Sequence, residues 1–193
     1  MSRRAVPSGE GQAAGVRDVV VMRALAHPAR LAMLEHLGQG PASATECAGV
    51  VGLSPSAVSY HLRALARAGL IEAAPGRGDG RERLWRRMAE RYEVKGGPGP
   101  SLEMREARQE FLESLLTWDE TRVRRYLAHI DDEPEEWQDA WQFASTTLLV
   151  TAEELQELSR TVQELLAPYQ RAARTDAPAG VRAVSMVVRA LPA

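Results

Sequence analysis

The sequence has little cysteine and no long apolar run, and each of these absences excludes a class of protein. Cys47 is the single cysteine among 193 residues, so the chain can form neither an internal disulfide nor a zinc site made of several of its own cysteines. No apolar run approaches the roughly 20 residues of a membrane-spanning helix. Residues 1–15 lack the apolar segment of a secretory signal. We therefore expect a cytoplasmic protein without membrane contact.

The motifs of common enzymes and metal sites are absent as well. The sequence contains no glycine-rich phosphate loop ending in Lys-Ser or Lys-Thr, no HExxH and no GxSxG. No two of its four histidines stand at helical i, i+4 spacing, and His129 beside Asp131 and Asp132 could contribute to a metal site only across a dimer. The acidic residues of 131–139 are typical of a solvated face. The sequence predicts no enzyme, no cofactor and no bound metal.

Charge is distributed unevenly along the chain. Residues 1–100 carry 14 basic and 9 acidic side chains, whereas residues 101–193 carry 10 basic and 17 acidic ones. The net charge of −2 therefore combines +5 in the first part with −7 in the second. Such an asymmetry is typical of a nucleic-acid-binding half joined to a half of different function.

A run of Gly and Pro follows the basic half and predicts how the chain is divided. Neither a helix nor a central strand can continue through such a run, so we predict a linker over 96–101. The domains on either side are then 16–95 and 102–193. The small, polar and Gly-rich residues 1–15 predict a disordered arm.

Helix start signals and apolar spacing predict a helix-turn-helix in the first domain. Ser43 and Glu46 form a capping-box pattern that opens one short helix. Ser54 followed by Pro55 is typical of the start of a second helix, whose apolar residues recur at i, i+4 and i+7. Gly52 lies in the turn between them. Two short helices joined by a Gly-containing turn are the signature of this motif.

Two short apolar segments downstream predict a wing. Residues 70–71 begin one strand, and Leu84 and Met88 mark a return strand with Trp85 on its other face. Residues 75–81 between them are a flexible basic turn. The pattern as a whole predicts a helix-turn-helix followed by a two-stranded wing.

Two segments of this region carry family-specific motifs. Residues 25–34 (Leu-Ala-His-Pro-Ala-Arg-Leu-Ala-Met-Leu) and residues 52–71 resemble the winged-helix domain of ArsR-like bacterial transcription regulators. The most recognisable motifs are Ser59-x-His61-Leu62 and Ala68-Gly69-Leu70. The resemblance covers roughly residues 17–92. It implies a homodimer that binds double-stranded DNA, with the helix after the wing building the dimer interface.

The predicted recognition helix begins at Pro55 and offers polar side chains suited to a DNA groove. Such a helix needs short donors near its N-terminus and longer side chains farther along. We rank Tyr60 and Arg63 as candidates for reading bases, since an arginine can bind guanine through two hydrogen bonds. The candidate DNA-binding residues of this helix, its surroundings and the wing are Arg30, Ser56, Ser59, Tyr60, His61, Arg63, Arg67, Arg77 and Arg81.

Several of these residues have an alternative structural interpretation. His61 lies near DNA if the resemblance holds, or else is a partly buried histidine bonded to the backbone. Arg30 contacts a phosphate or pairs within the domain. Arg77 and Arg81 reach phosphates or the minor groove, or remain solvated on the loop. Cys47, on the apolar side of its helix, is predicted to be a buried structural cysteine.

The second half is predicted to contain a helical dimerisation region and a small α+β layer. A helix is expected over 101–130, with a kink or a new start at the capping-box pattern of residues 117–120. Its apolar stripe would form a dimer interface or pack on its own domain. Strands are expected over 143–150 and 181–190, with a helix opened by Thr151 between them. We expect this helix to bury Leu155, Leu158, Val162, Leu165, Leu166 and Tyr169.

Three of the four tryptophans, Trp118, Trp137 and Trp141, lie in this half. They would line a pocket for a small organic effector, or serve as packing anchors. The predicted fold class is thus mainly α (α+β). The predicted function is a homodimeric repressor that recognises a palindromic operator and is released by an organic effector. The alternative is a winged-helix protein-interaction module with an acidic partner-binding half and no sequence-specific DNA binding.

Overall fold

The computed structural model describes residues 13–15, 18–77, 83–88, 91–93, 99–170, 173–174 and 176–192, with the backbone alone for 13–15 and 91–93. The chain divides into two units, Met1–Ala128 and His129–Ala193. We call them the first unit and the second unit. No helix of the described residues is long and apolar enough to cross a membrane.

The described residues of the first unit form five helices and two small sheets. The strands β2, β3 and β4 form an antiparallel sheet in the order β2-β4-β3, and β1 pairs in parallel with β5. The helices are α1 (Val19–Leu25), α2 (Pro28–Gln39), α3 (Ala44–Val51), α4 (Pro55–Arg67) and α5 (Leu102–Leu127). The strands are β1 (Ala13–Gly15), β2 (Ala42–Ser43), β3 (Ile71–Ala74), β4 (Leu84–Arg87) and β5 (Arg91–Glu93).

Side-chain caps fix where the helices of this unit begin. The capping box at α3 is complete: the Ser43 hydroxyl accepts from the Glu46 amide at 3.2 Å, and the Glu46 carboxylate accepts from the Ser43 amide at 2.7 Å. Ser54 caps α4 by accepting from the Ala57 amide at 3.3 Å. The imidazole of His27 caps α2, because its Nδ1 accepts a hydrogen bond from the amide of Ala29, the second residue of the helix, at 3.1 Å. These caps satisfy amides that have no partner within the helix.

The core is formed where α4 and the sheet pack against α1, α2 and α5. Its fully buried side chains include Leu25, Met33, Leu62 and Leu65. Helix α5 contributes buried residues of its own and packs against α1 and α2, so it belongs to the first unit. The division of the chain thus follows α5, whereas the sequence predicts a linker before it, at 96–101.

Three details of the first unit differ from the sequence-based expectations. No new helix starts at residues 117–120, because α5 runs through them; the Thr117 hydroxyl donates to the carbonyl of Glu113, one turn earlier, and caps nothing. Trp85 is buried together with Leu84, and Met88 lies exposed beyond the end of β4. Of the arm predicted over 1–15, the last three residues form β1 and the others lie outside the described residues.

The second unit is less regular than the sequence predicts. It contains α6 (Glu135–Gln138), α7 (Ala152–Leu166) and the short 3₁₀ helices Ile130–Asp132 and Ala167–Tyr169. The strands predicted over 143–150 and 181–190 are wrong for this structure, since the described residues there belong to no sheet. A β-prone composition yields a strand only where another strand pairs with it. Helix α6 ends before Trp141, so this tryptophan does not share a helix with Trp137.

Helix α7 begins where its capping box predicts, at Thr151 and Glu154. The expectation that its apolar residues are buried is wrong, because no residue of α7 is buried. Leu158 and Leu165 are exposed and Leu155 and Val162 only partly covered. In the described part of the second unit, no other element covers the apolar face of α7.

Candidate nucleic-acid interface

The turn between α3 and α4 depends on one glycine. Gly52 adopts the left-handed conformation, with φ 66° and ψ 27°, and its amide donates to the carbonyl of Ala48 at 3.0 Å. Residues with a side chain rarely adopt this conformation. The chain therefore turns within three residues, and Ser54 then caps α4. This turn sets the direction of α4 relative to α3.

Helix α4 has one buried face and one exposed polar face. Val58, His61, Leu62 and Leu65 are buried against the core. On the opposite side, four exposed residues follow the helical spacing i, i+4, i+7 and i+11, which gives a continuous stripe. The stripe consists of Ser56, Tyr60, Arg63 and Arg67, and Tyr60 is 55% exposed. Ser59, also predicted as a candidate, is partly covered.

The exposed face of α4 is positively charged. No acidic residue occurs in α4, and no acidic side chain among the described residues forms a salt bridge with Arg63 or Arg67. Two guanidinium groups one turn apart, flanked by hydroxyl donors, form a surface that attracts phosphate and can hydrogen-bond base edges.

Arg30 lies inside the domain and is engaged by it. Its Nη1 donates to the carbonyls of Arg23 at 3.2 Å and Ala24 at 3.0 Å, near the end of α1. Its Nε donates to Nδ1 of His61 on α4 at 3.2 Å. One side chain of α2 thus connects α1 with the recognition helix. Of the two roles considered for Arg30, a phosphate contact and pairing within the domain, these contacts correspond to the second.

His61 is a packing residue whose exposed fraction is only 8%. Its ring lies 4.5 Å from that of His27 and 5.5 Å from that of Tyr60, between ring centroids. Burial lowers the pKa of His61, and the neighbouring His27 and Arg30 lower it further. Burial and then the charge of Arg30 likewise lower the pKa of His27. The neutral form of both rings is therefore favoured.

On the wing, the structure describes one of the two predicted arginines. Arg77 donates to the Glu46 carboxylate at 2.9 Å and to the carbonyl of Pro41 at 2.5 Å. Hydrogen bonds from the Ser43 amide and then from Arg77 hold the pKa of Glu46 below its usual value. The start of the wing is thereby attached to the start of α3. Arg81 lies outside the described residues.

Sequence reasoning did not identify Arg83, which is exposed immediately before β4. Its guanidinium carbon lies 4.3 Å from the ring centroid of Trp85. A cation stacked on an indole keeps a fixed orientation at low entropic cost. The two-residue spacing of Arg83 and Trp85 placed both on one side of the strand and was the available signal. Arg83 is therefore a further basic group on the wing.

The three tryptophans are divided between the two units. Trp118 packs against the core of the first unit, with Arg122 4.5 Å above its ring. In the second unit, Trp137 stacks with Arg182 at 4.8 Å and borders an open concavity of about 550 Å³, and Trp141 lies 6.3 Å from Phe143. Trp118 therefore belongs to one unit and the other two to the second.

Cys47 is fully buried, and burial raises the pKa of its thiol to about 11. This location is the structural one predicted for it. Within the ranges that the structure describes, no group of three or more His, Cys, Asp or Glu side chains is arranged to hold a metal ion.

Comparisons with known proteins agree with this geometry. Residues 25–73 match a helix-turn-helix domain family. The chain is also similar to the HTH-type transcriptional regulator NmtR of Mycobacterium tuberculosis, with 44% identity over 50 residues. The match covers 26% of this chain and 42% of that relative, so the chain spans about two fifths of its length. The predicted resemblance to ArsR-like winged-helix regulators is thus confirmed, and residues 25–73 form a helix-turn-helix domain.

Proposed function

We propose that this chain is a DNA-binding transcription regulator, a cytoplasmic homodimeric repressor that recognises a palindromic operator. One observation carries the proposal: the acid-free stripe of hydroxyl, phenol and guanidinium groups along the exposed face of α4. The similarity to a protein named as a transcriptional regulator supports it. We expect no enzymatic activity, since the sequence contains no known catalytic motif.

The dimensions of α4 suit a major groove. Its 13 residues span about 20 Å at about 1.5 Å per residue, and the groove, about 12 Å wide, admits one helix. In this pose Tyr60 and Arg63, at the middle of the stripe, read base edges. Ser56 and Arg67, at its ends, bind phosphates on either side. Arg83 on the wing adds a phosphate or minor-groove contact.

A homodimer would present two such helices. Leu112 and Leu116 lie one turn apart on α5 and remain exposed, and α1, which packs on α5, exposes Val20. Burying this apolar surface against a second copy would relate the two recognition helices by a two-fold axis. Half-sites about 34 Å apart, one turn of DNA, would then follow.

Release by an organic effector requires that a change at α5 reaches the DNA-binding elements. Arg122 of α5 contacts Asp119 on its own helix at 2.5 Å and Glu35 of α2 at 3.6 Å. A ligand that altered the position of α5 would therefore act on α2, and through Arg30 on α4. Such a ligand must bind the two dimer geometries with different affinities.

The test is a gel shift on the DNA flanking the chain's own gene, compared with random DNA at the same modest salt. Arg63→Ala should weaken operator binding about 10- to 100-fold and random DNA much less. Arg125→Ala removes an exposed arginine of α5 instead, and serves as the matched control that leaves operator binding unchanged. Equal losses on both DNAs would reduce Arg63 to a phosphate contact.

If the intact wild-type dimer binds neither DNA, the proposal fails. The alternative of a winged-helix protein-interaction module, with its acidic half binding a partner, would then stand. Repression, as opposed to activation, is tested by deleting the gene, which should raise transcription from the bound promoter.

A further inference from the structure

The second unit exposes apolar surface that a folded chain normally covers. Every buried residue of the described chain lies between Met22 and Asp119, and none lies in the described part of the second unit. Fourteen of its large apolar side chains are instead exposed, among them Leu149 at 98% and Leu191 at 82%. Ordering a chain costs conformational entropy that apolar burial must offset. The second unit therefore lacks a surface that would complete its core.

Two segments concentrate this apolar surface on either side of α7. Residues 141–150 combine β-branched and aromatic side chains. In residues 181–191, Val184, Met186 and Val188 alternate in the sequence, and each is more than half exposed. Such alternation is the pattern of a strand with one buried face. Both segments belong to no sheet of the described residues, although their composition is that of strands.

Helix α7 shows the same deficit on its apolar side. Leu158 and Leu165 lie seven residues apart on α7 and are exposed, as is Tyr169 in the 3₁₀ helix that follows, while Arg160 pairs with Glu157 and Glu164 elsewhere on α7. A helix with one charged side and one apolar side is ordered by burying the apolar side. A partner that covered the two segments and the apolar side of α7 would therefore need both strand edges and apolar surface.

We propose that residues 141–150 and 181–191 pair as β-strands with a second copy of this chain, and that the apolar side of α7 is buried in the same interface. This deepens the homodimer of the proposed function and rests on it only for the presence of a dimer. It does not depend on DNA binding.

The amount of exposed apolar surface suits a second copy. Fourteen side chains of this size, mostly about half exposed or more, present on the order of 1,000 Å² per copy. A stable interface buries about 800 Å² per partner, whereas the largest apolar patch of an ordinary monomer is about 300–600 Å². The surface is therefore large enough for a lasting dimer.

Charge opposes some other partners and does not oppose self-pairing at one of the two segments. The second unit carries 11 acidic and five basic side chains, which opposes nucleic acid and anionic membranes. Residues 140–152 contain no charged side chain, so two copies meet there without repulsion. Antiparallel pairing about a two-fold axis between Thr146 and Thr147 sets Phe143 opposite Val150 of the second copy. Aromatic with β-branched pairs, and Thr with Thr, are cross-strand pairs that stabilise sheets.

Sedimentation equilibrium of the full chain tests the proposal through Leu149→Asp. Its side chain touches little within the monomer, so the variant should keep the wild-type helical content and raise the dimer dissociation constant at least about 100-fold. Gln156→Glu is the matched control: it adds one negative charge on exposed α7 outside the apolar surface, and the dissociation constant should stay within about threefold. An unchanged constant for Leu149→Asp overturns the proposal.

Hydrogen exchange provides a second readout that does not depend on a variant. Amides of 143–150 and 183–188 should be protected in wild-type chain above the dissociation constant and exchange rapidly far below it. Rapid exchange at both concentrations overturns the proposal and leaves the segments to a different protein. A chain that dimerises through these segments and binds no operator refutes the proposed function alone.

Discussion

Replacing Arg30 by alanine should destabilise the first unit without removing a DNA contact. The change deletes three hydrogen bonds, to the carbonyls of Arg23 and Ala24 and to Nδ1 of His61. A hydrogen bond contributes about 0.5–1.5 kcal/mol net, and the bond to Arg23 is exposed, so water replaces it at little cost. The remaining two, with the loss of the charged donor, give about 2 kcal/mol of unfolding free energy.

Urea unfolding followed by circular dichroism at 222 nm measures this loss. With a slope of about 2 kcal/mol per molar urea, the midpoint should fall by about 1 M. Arg63→Ala is the matched control, because Arg63 is an exposed arginine on α4, and its unfolding free energy should stay within about 0.5 kcal/mol of wild type.

The two variants should rank oppositely in operator affinity, where Arg63→Ala has the larger effect. At a temperature where both variants are folded, Arg30→Ala should bind the operator within about threefold of wild type, whereas Arg63→Ala loses at least about tenfold. If Arg30→Ala kept its full stability and lost operator affinity, the hydrogen bonds described here would contribute nothing, and Arg30 would be a phosphate contact.

Three further predictions concern the histidine pair, the cysteine and the helix caps. Burial lowers the pKa of His27 and His61, so below about pH 6.5 the unfolded chain binds more protons than the native state. The free energy of unfolding should therefore be highest above about pH 6.5 and decrease as the pH falls below it. A urea midpoint that does not change between about pH 8 and about pH 5 would contradict this. Cys47, with a thiol pKa of about 11, should react with Ellman's reagent at pH 8 only after denaturation, and rapid native labelling would exclude its burial. Ser43→Ala should cost about 1–2 kcal/mol in urea unfolding, and Thr151→Ala, which removes the same cap from exposed α7, should cost less.

The local part of this fold could be predicted from the sequence, and the long-range part could not. Ser43 with Glu46, and Ser54 before Pro55, mark helix starts within four residues, so their signal is complete in the sequence. The contact of Arg30 with His61 joins residues 31 positions apart, and no local pattern encodes it. For the candidate site, spacing located the stripe of α4, but packing decided that His61 lies behind it.

In the second unit, a local sequence pattern predicted a strand that the structure does not contain. Residues 143–150 have the composition of a strand, but a strand is a property of a pair, and the described chain supplies no second member. Thr117 shows the same limit in a helix: the capping pattern was present, and the preceding turn of α5 took its hydroxyl instead.

The bonds made by His27 and His61 also determine the tautomer of each ring. In both, Nδ1 accepts a hydrogen bond, from the Ala29 amide and from Arg30 Nε respectively, so the single ring proton resides on Nε2. Neither imidazole can then accept a hydrogen bond from a ligand, since its one lone pair is already used. Any further polar contact of His61 must therefore be a donation from Nε2 to a hydrogen-bond acceptor.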